Sequence, residues 1–158
     1  MRLQIAVVGG GACTRQDADA AEEVGRLLAR RGCTLVCGGL GGVMEAAARG
    51  ARAEGGTTIG ILPGEEHADA NPWIEHVVVT GVGHARNLAV AASGHALIAV
   101  GGEWGTASEV ALARRLGRPV VIVGSGPGID GEGIVRVDTP AEAVELAISV
   151  AKGALARR

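Results

Sequence analysis

Short apolar runs recur along the whole chain and are separated by longer segments with a different periodicity. The runs are rich in Val, Ile and Leu and show no alternation with polar residues. A strand with one face in water is expected to alternate, so unbroken runs predict strands covered on both faces. The predicted strands are Leu3–Val8, Thr34–Cys37, Thr57–Leu62, Ile74–Val79, Ala96–Val100, Pro119–Val123 and Ile134–Val137.

The segments between the strands carry apolar residues at helical spacing, as Ala21, Val24 and Leu28 illustrate. Strands that alternate with helices predict a parallel sheet with helices on both faces. We therefore expect an α/β fold, a single doubly wound Rossmann-like domain spanning residues 1–158 with a mostly parallel sheet. The predicted helices are Asp17–Arg31, Val43–Glu54, Gly81–Ser93, 106–116 and Pro140–Ala151.

Glycine is concentrated in three loops that follow predicted strands. In doubly wound sheets, ligands bind beyond the carboxyl ends of the strands, and free N–H groups at helix N-termini attract anions. A glycine turn can also serve close packing alone, but three such loops together favour a phosphate or nucleotide site. The glycines are Gly9, Gly10 and Gly11 in the first loop, Gly38, Gly39, Gly41 and Gly42 in the second, and Gly101, Gly102 and Gly105 in the third.

The common cofactor-binding motifs are not met. The dinucleotide fingerprint lacks its third glycine, and Cys37 and Gly38 stand where an acidic residue would hold a ribose. No Gly-Lys-Ser/Thr phosphate loop is present, so NAD enzymes and NTPases are disfavoured. The only lysine, Lys152, lies in the last predicted helix. Since pyridoxal phosphate requires a lysine held in a pocket, that cofactor is disfavoured too.

Glu109 has two interpretations. The segment Thr106-Ala-Ser-Glu109 fits a capping box, in which Thr106 and Glu109 would satisfy N–H groups at the start of a helix. Alternatively, Glu109 points into a ligand site behind the third glycine loop, which also contains Glu103 and Trp104.

Arg86 lies near the start of a predicted helix, where the helix dipole makes a cation unfavourable. We expect an anion to compensate, either a ligand phosphate or Glu109, with Asn87 donating to the same ligand. A solvent-exposed Arg86 is the alternative. His84 is a candidate for acid–base chemistry, whereas His95 precedes a strand at its amino end and is interpreted as structural.

The net charge and the histidine and cysteine content restrict the classes of ligand and partner that we expect. The formal net charge of -2 gives no electrostatic footprint for nucleic acid or a membrane. No spacing of histidines and cysteines predicts a metal site. Three cysteines, an odd number, indicate reduced thiols and a cytoplasmic location, and we expect all three to be small buried apolar residues. The polar segment Pro63–Pro72 is either a mobile loop near the ligand or simply solvated. No secretory signal segment is expected.

Three segments together resemble the LOG-like superfamily, whose members have also been labelled "lysine decarboxylase-like". They are Gly38-Gly-Leu-Gly-Gly-Val-Met-Glu-Ala-Ala, Ala85-Arg-Asn87 and Gly101-Gly-Glu-Trp-Gly-Thr-Ala-Ser-Glu109. LOG enzymes are phosphoribohydrolases that cleave the N-glycosidic bond of cytokinin riboside 5′-monophosphates, and their motif reads Pro-Gly-Gly-X-Gly-Thr-X-X-Glu. The resemblance implies that Thr106 and the third-loop glycines bind phosphate, that Glu109 is catalytic and that Arg86 assists.

This chain departs from the LOG motif. Val100 replaces the proline, Glu103-Trp104 fills a slot of one residue, and Asn87 follows Arg86 where the enzymes continue with Lys. The longer motif resembles the branch that contains molybdenum cofactor carrier proteins, which are non-catalytic. That branch implies a molybdenum cofactor bound as ligand, with the first two glycine loops lining its pterin side. A phosphoribohydrolase and a nucleotide-sensing module are the alternatives.

Self-association is the last expectation. The superfamily forms dimers or larger assemblies, which implies a homodimer or homotetramer. The predicted helix 106–116 would supply an exposed apolar face for pairing, formed by Val110, Leu112, Ala113 and Leu116.

Overall fold

The computed structural model describes residues 1–157, and strands and helices alternate except at two places, where no α-helix separates one strand from the next. Two short 3-10 turns, His67–Asp69 and Gly83–Ala85, interrupt the connections. The strands are β1 (Gln4–Gly9), β2 (Thr34–Cys37), β3 (Thr58–Leu62), β4 (His76–Val79), β5 (Ala96–Val100), β6 (Val120–Val123) and β7 (Ile134–Val137). The helices are α1 (Arg15–Arg30), α2 (Val43–Ala53), α3 (Arg86–Ser93), α4 (Trp104–Arg115) and α5 (Pro140–Ala156).

The strands described form one sheet in the order β4-β3-β2-β1-β5-β6-β7, and each neighbouring pair is parallel. The chain moves outward from β1 to β4 and then returns to the other side of β1 for β5. The strand order therefore reverses between β1 and β5, which confirms the predicted doubly wound α/β fold. The carboxyl ends of these two strands diverge into the crevice where such sheets bind ligands.

Successive side chains of β1 pack into two separate hydrophobic cores, one on each face of the sheet. Ile5 and Val7 pack into a layer with α1, α2 and α5, whereas Ala6 and Val8 pack into a layer with α3 and α4. Both faces of the central strands are therefore buried, which explains their unbroken apolar sequence. Because the sequence contains no Phe or Tyr, these layers are filled by Val, Ile, Leu and Ala.

The helix starts differ from the sequence prediction in ways that affect the site. α1 begins at Arg15, two residues early, because the Thr14 hydroxyl accepts a hydrogen bond of 3.1 Å from the Asp17 N–H and caps the helix. α4 begins at Trp104 and not at residue 106. The predicted helix over Gly81–Ser93 is wrong in its first turn, since Gly81 and Gly83 have φ of 64° and 61° and α3 proper begins at Arg86.

The apolar face expected on α4 is largely used by the protein itself. Val110 and Ala113 are fully buried against the sheet, so they are not available for pairing. Leu116 remains exposed at the end of the helix. The apolar side of α4 faces the sheet of the same molecule, so the expectation that this side is exposed for pairing was wrong. Within residues 1–157, no helix is long and apolar enough to cross a membrane.

Candidate functional site

A cleft of about 790 Å³ opens where the strand order reverses. Its walls are the loops after β1, β5 and β6 and the first turns of α3 and α4. This volume suits a ligand the size of a nucleotide or a pterin. Eleven of the sequence-predicted residues line it, namely Gly9, Gly10, Gly11, Arg86, Asn87, Gly101, Gly102, Glu103, Gly105, Thr106 and Glu109.

The loop after β5 has a backbone that only glycine adopts readily. Gly101 and Gly102 have φ of 56° and 94°, and a Cβ on Gly101 would lie 2.6 Å from Oδ2 of Asp17. At Gly102, a Cβ would overlap the side chain of Thr106. The N-cap residue Glu103 forms no side-chain capping bond to the helix. The first N–H groups of α4 are thus left uncapped by this side chain, as an anion site requires.

The capping interpretation of Glu109 is wrong. Since α4 begins at Trp104 after the N-cap Glu103, Thr106 lies in the first turn and Glu109 in the second turn. Glu109 is only 8% exposed and forms part of the cleft wall. Burial raises the pKa of this carboxyl to about 7, although the nearby Arg86 charge opposes the rise. At neutral pH the side chain is therefore divided between its acid and its carboxylate.

Arg86 is also buried, which overturns the exposed alternative. It is the first residue of α3 and is 8% exposed. Among residues 1–157, its Nε and Nη1 atoms have no hydrogen-bond partner. Burial lowers the pKa of the guanidinium, and the Glu109 charge partly offsets that effect. Buried N–H donors without acceptors are costly, so this guanidinium is suited to an anion that enters the cleft.

Gly38 makes room for Arg86. A Cβ at position 38 would overlap Nη1 of Arg86 and would lie 2.6 Å from Sδ of Met44. The second glycine loop thus leaves, at Gly38, the space that the Arg86 guanidinium occupies, and Met44 lies beside it on the cleft wall. Any larger residue at position 38 would displace Arg86, Met44 or both.

The rest of the second loop supports the cleft without lining it. A Cβ on Gly42 would overlap the carbonyl of Gly10, and the Val43 N–H donates to that same carbonyl at 3.0 Å. The Gly39 carbonyl accepts hydrogen bonds from the backbone N–H and the side chain of Asn71. A Cβ added to Gly41 would lie 3.6 Å from the carbonyl oxygen of Gly11. The Val43 hydrogen bond thus connects the two loops, whereas Asn71 holds the second loop.

Several wall residues were missed by the sequence analysis. Asp17 and Met44 lie on α1 and α2, and Ser125 and Gly126 lie in the loop after β6. The strand-end rule, applied to the sixth strand as well as the first and fifth, would have found the last two. Asp17 gave no separate signal, because its proximity to Gly101 depends on the packing of α1.

Cys13 contradicts the expectation for the cysteines. It is exposed and lines the cleft, whereas Cys33 and Cys37 are buried as expected. Burial raises the pKa of the Cys37 thiol to about 11. Cys13 is exposed because the residues between β1 and α1 lie outside the apolar layers.

Other singled-out residues lie around the cleft. Trp104 is 88% exposed and does not line the cleft, although its neighbours do. His84 lies on the wall. His95 accepts a hydrogen bond of 3.0 Å from the Gln4 N–H at the amino end of the sheet, which confirms its structural interpretation. The acidic part of Pro63–Pro72 is exposed and outside the cleft, as the solvated alternative predicts.

Comparison with known protein families shows to which family the chain belongs. A model of the SLOG cluster4 family matches residues 2–152. The chain belongs to this family. The match agrees with the LOG-like resemblance at the level of SLOG proteins. An uncharacterised protein of Archaeoglobus fulgidus is 42% identical over 147 residues, which cover 93% of this chain and 95% of that protein.

Two similar solved structures are a binding protein and a carrier protein for the molybdenum cofactor. The molybdenum cofactor binding protein of Rippkaea orientalis is 32% identical with a TM-score of 0.88, covering 95% of this chain and 98% of that one. The molybdenum cofactor carrier protein of Chlamydomonas reinhardtii is 33% identical with a TM-score of 0.86, covering 97% and 99%. This SLOG chain therefore shares its whole fold with proteins that hold this cofactor.

Proposed function

We propose that the protein binds the molybdenum cofactor through its phosphate and carries it without changing it. The observation that carries this proposal is the buried Arg86, whose Nε and Nη1 have no partner among the described residues and lie beside a cleft of about 790 Å³. The similarity to the Rippkaea and Chlamydomonas proteins supports the choice of ligand. The cofactor is cargo in this proposal and not a resident catalytic group.

The cleft offers hydrogen-bonding groups for both the phosphate and the pterin of the ligand. The phosphate is placed at the start of α4, against the backbone of Gly101 and Gly102, where N–H groups and the helix dipole favour an anion. Arg86 supplies the full positive charge. The pterin is placed against the first glycine loop, where the carboxylate of Asp17 is available to accept its amino or ring N–H groups.

Cofactor retention tests the proposal. Cofactor released from a molybdoenzyme is incubated anaerobically with the protein, which is then desalted, and the retained pterin is quantified by fluorescence after oxidation. We expect stoichiometric retention by the wild type and a loss of about ten- to hundredfold in affinity for Arg86→Gln, because a charged hydrogen bond contributes about 1.5–3 kcal/mol. Arg115→Gln, at the exposed far end of α4, is the matched control. Wild-type protein that retains no pterin would contradict the proposal.

A phosphoribohydrolase is the second candidate, and Glu109 is the observation that favours it. A buried carboxyl in the cleft with a pKa of about 7 is suited to protonate a leaving base, and Arg86 would position the phosphate. Release of free base from an N6-substituted AMP, lost in Glu109→Gln, would favour this enzyme over the carrier. The carrier proposal predicts no release by either protein.

The proposal extends to assembly and location. We propose a homodimer or homotetramer, supported by the exposed apolar side chains of Leu88 (48%) and Trp104 (88%) on neighbouring helices. Light scattering after size exclusion should show more than one copy, and Trp104→Ser should shift the distribution towards the monomer. Three free cysteines support a cytoplasmic location. We place residues 1–158 in a single binding domain, with no nucleic-acid partner.

A further inference from the structure

We propose that Glu109 becomes protonated when a phosphate binds beside Arg86, so that the site takes up a proton as it binds its ligand. This inference rests on the proposed function, because it assumes that the anion occupies the cleft beside Arg86. It adds a regulatory property, namely that a rise in pH releases the ligand.

The geometry places two opposite charges in one buried wall. Arg86 comes from α3 and Glu109 from α4, both line the cleft, and each is 8% exposed. The guanidinium has unpartnered N–H groups among residues 1–157, so it has donors to offer to an incoming anion. In the free protein, Glu109 is the carboxylate whose charge acts on this guanidinium. The two side chains thus lie in one buried wall, and among the described residues Glu109 does not hydrogen-bond to Nε or Nη1 of Arg86.

A bound phosphate changes the balance at Glu109. In the free protein, the positive charge of Arg86 favours the carboxylate and burial favours the neutral acid. A phosphate next to Arg86 neutralises the favourable charge and adds a like charge, and both effects raise the pKa of Glu109 further. Glu109 is therefore protonated in the complex, and the proton must come from solvent whenever the free protein has it ionised.

The other charged groups around the cleft do not replace Glu109 in this role. Cys37 on β2 interacts electrostatically with both Arg86 and Glu109, but its pKa of about 11 keeps it a neutral thiol. The remaining groups on the wall are Cys13, Asp17, His84 and Glu103, none of which is fully buried. His84 is the one that requires a control, because an imidazole can accept a proton.

The expected pH dependence can be worked out with AMP as the probe. A phosphate monoester has its second pKa near about 6, so AMP is a dianion above pH 7.5. If only the protein with a neutral Glu109 binds, the affinity follows the neutral fraction. With a Glu109 pKa of about 7, the affinity should fall about tenfold between pH 8 and pH 9.

Calorimetry measures the proton directly. AMP is titrated into the protein at pH 8 in HEPES and in Tris, whose different ionisation heats reveal the number of protons exchanged. We expect about 0.9 proton taken up per AMP, which is the ionised fraction of a group with a pKa of about 7. Glu109→Gln should exchange no proton and bind with the same affinity at both pH values. Glu103→Gln, which removes another carboxylate of the wall, and His84→Gln should keep the proton uptake.

Each outcome separates this inference from the proposed function. AMP binding without proton uptake, or uptake that survives in Glu109→Gln and is lost in His84→Gln, overturns the inference while retention of the cofactor still stands. AMP that does not bind at any pH from 6 to 9 also overturns it, because a phosphate site at Arg86 must accept this ester. If Glu109→Gln does not fold, the wild-type proton count and pH slope decide alone.

Discussion

Replacing Glu109 by Gln should stabilise the protein in a manner that depends on pH. Burial raises the pKa of Glu109 from 4.5 to about 7, whereas in the unfolded chain the group regains its ordinary value. A carboxyl with a raised pKa stabilises the fold below its unfolded pKa, and this contribution is lost as pH rises through the folded pKa. Gln resembles the neutral acid at every pH, so the variant keeps this stabilising contribution when the pH rises.

The magnitude follows from the two pKa values. A difference of about 2.5 in pKa corresponds to about 3 kcal/mol at 1.36 kcal/mol per unit. We compare the free energy of unfolding of Glu109→Gln with that of the wild type and take their difference at low pH as the reference. Relative to that reference, the variant should be more stable by about 2 kcal/mol at pH 6 and by about 3 kcal/mol at pH 8. The gain should therefore develop almost entirely between pH 4.5 and pH 7.5.

Urea denaturation of both proteins at pH 4.5, 6, 7 and 8 measures this difference. Glu103→Gln is the matched control, because it removes a carboxyl that is exposed on the same cleft. A Glu109→Gln difference that stays constant across this range would refute the reasoning, since it would mean that Glu109 ionises in the folded protein as it does in the unfolded chain.

Three further predictions concern the same cleft. Arg86→Met should raise the free energy of unfolding of the ligand-free protein by about 1–3 kcal/mol, because it removes unpaired buried donors, and should abolish AMP binding; a destabilised variant at pH 6 in urea denaturation would contradict this. Gly38→Ala should cost about 1–3 kcal/mol and weaken AMP binding by displacing Arg86. The matched control is Gly131→Ala, at an exposed glycine that like Gly38 has no positive φ but has open space around an added Cβ, and it should leave AMP affinity unchanged. In the native protein, Cys13 should react with a thiol reagent well before Cys33 and Cys37, as mass spectrometry of the labelled peptides would show; equal rates would argue against the exposed position.

The fold was predictable because its signals are local and strong. Central strands buried on both faces require unbroken apolar runs, so the sequence pattern located β1 and β5. Their pairing and the reversal of strand order between them became known only from the structure. Helix starts were less predictable, because they depend on individual caps. Thr14 and Thr139 both accept a hydrogen bond from the third helical N–H, yet Thr106 matches the same pattern and does not cap α4.

The site was only partly predictable, because its key properties come from packing. The sequence indicated Arg86 and Glu109, but the burial of both side chains depends on the way α3 and α4 face the sheet. The same packing leaves Nε and Nη1 of Arg86 without a hydrogen-bond partner in the part of the chain that the structure describes. Gly38 was expected to line the ligand and instead seats the guanidinium. A glycine that accommodates a side chain and one that accommodates a ligand have the same sequence signal, so only the three-dimensional structure separates them.

The most direct test of the account is a crystal structure of the protein grown anaerobically with the molybdenum cofactor. The account predicts the phosphate within hydrogen-bonding distance of Arg86 Nε or Nη1 and of the first N–H groups of α4, with the pterin along the first glycine loop. A phosphate bound elsewhere, with Arg86 still without an anionic partner, would contradict it.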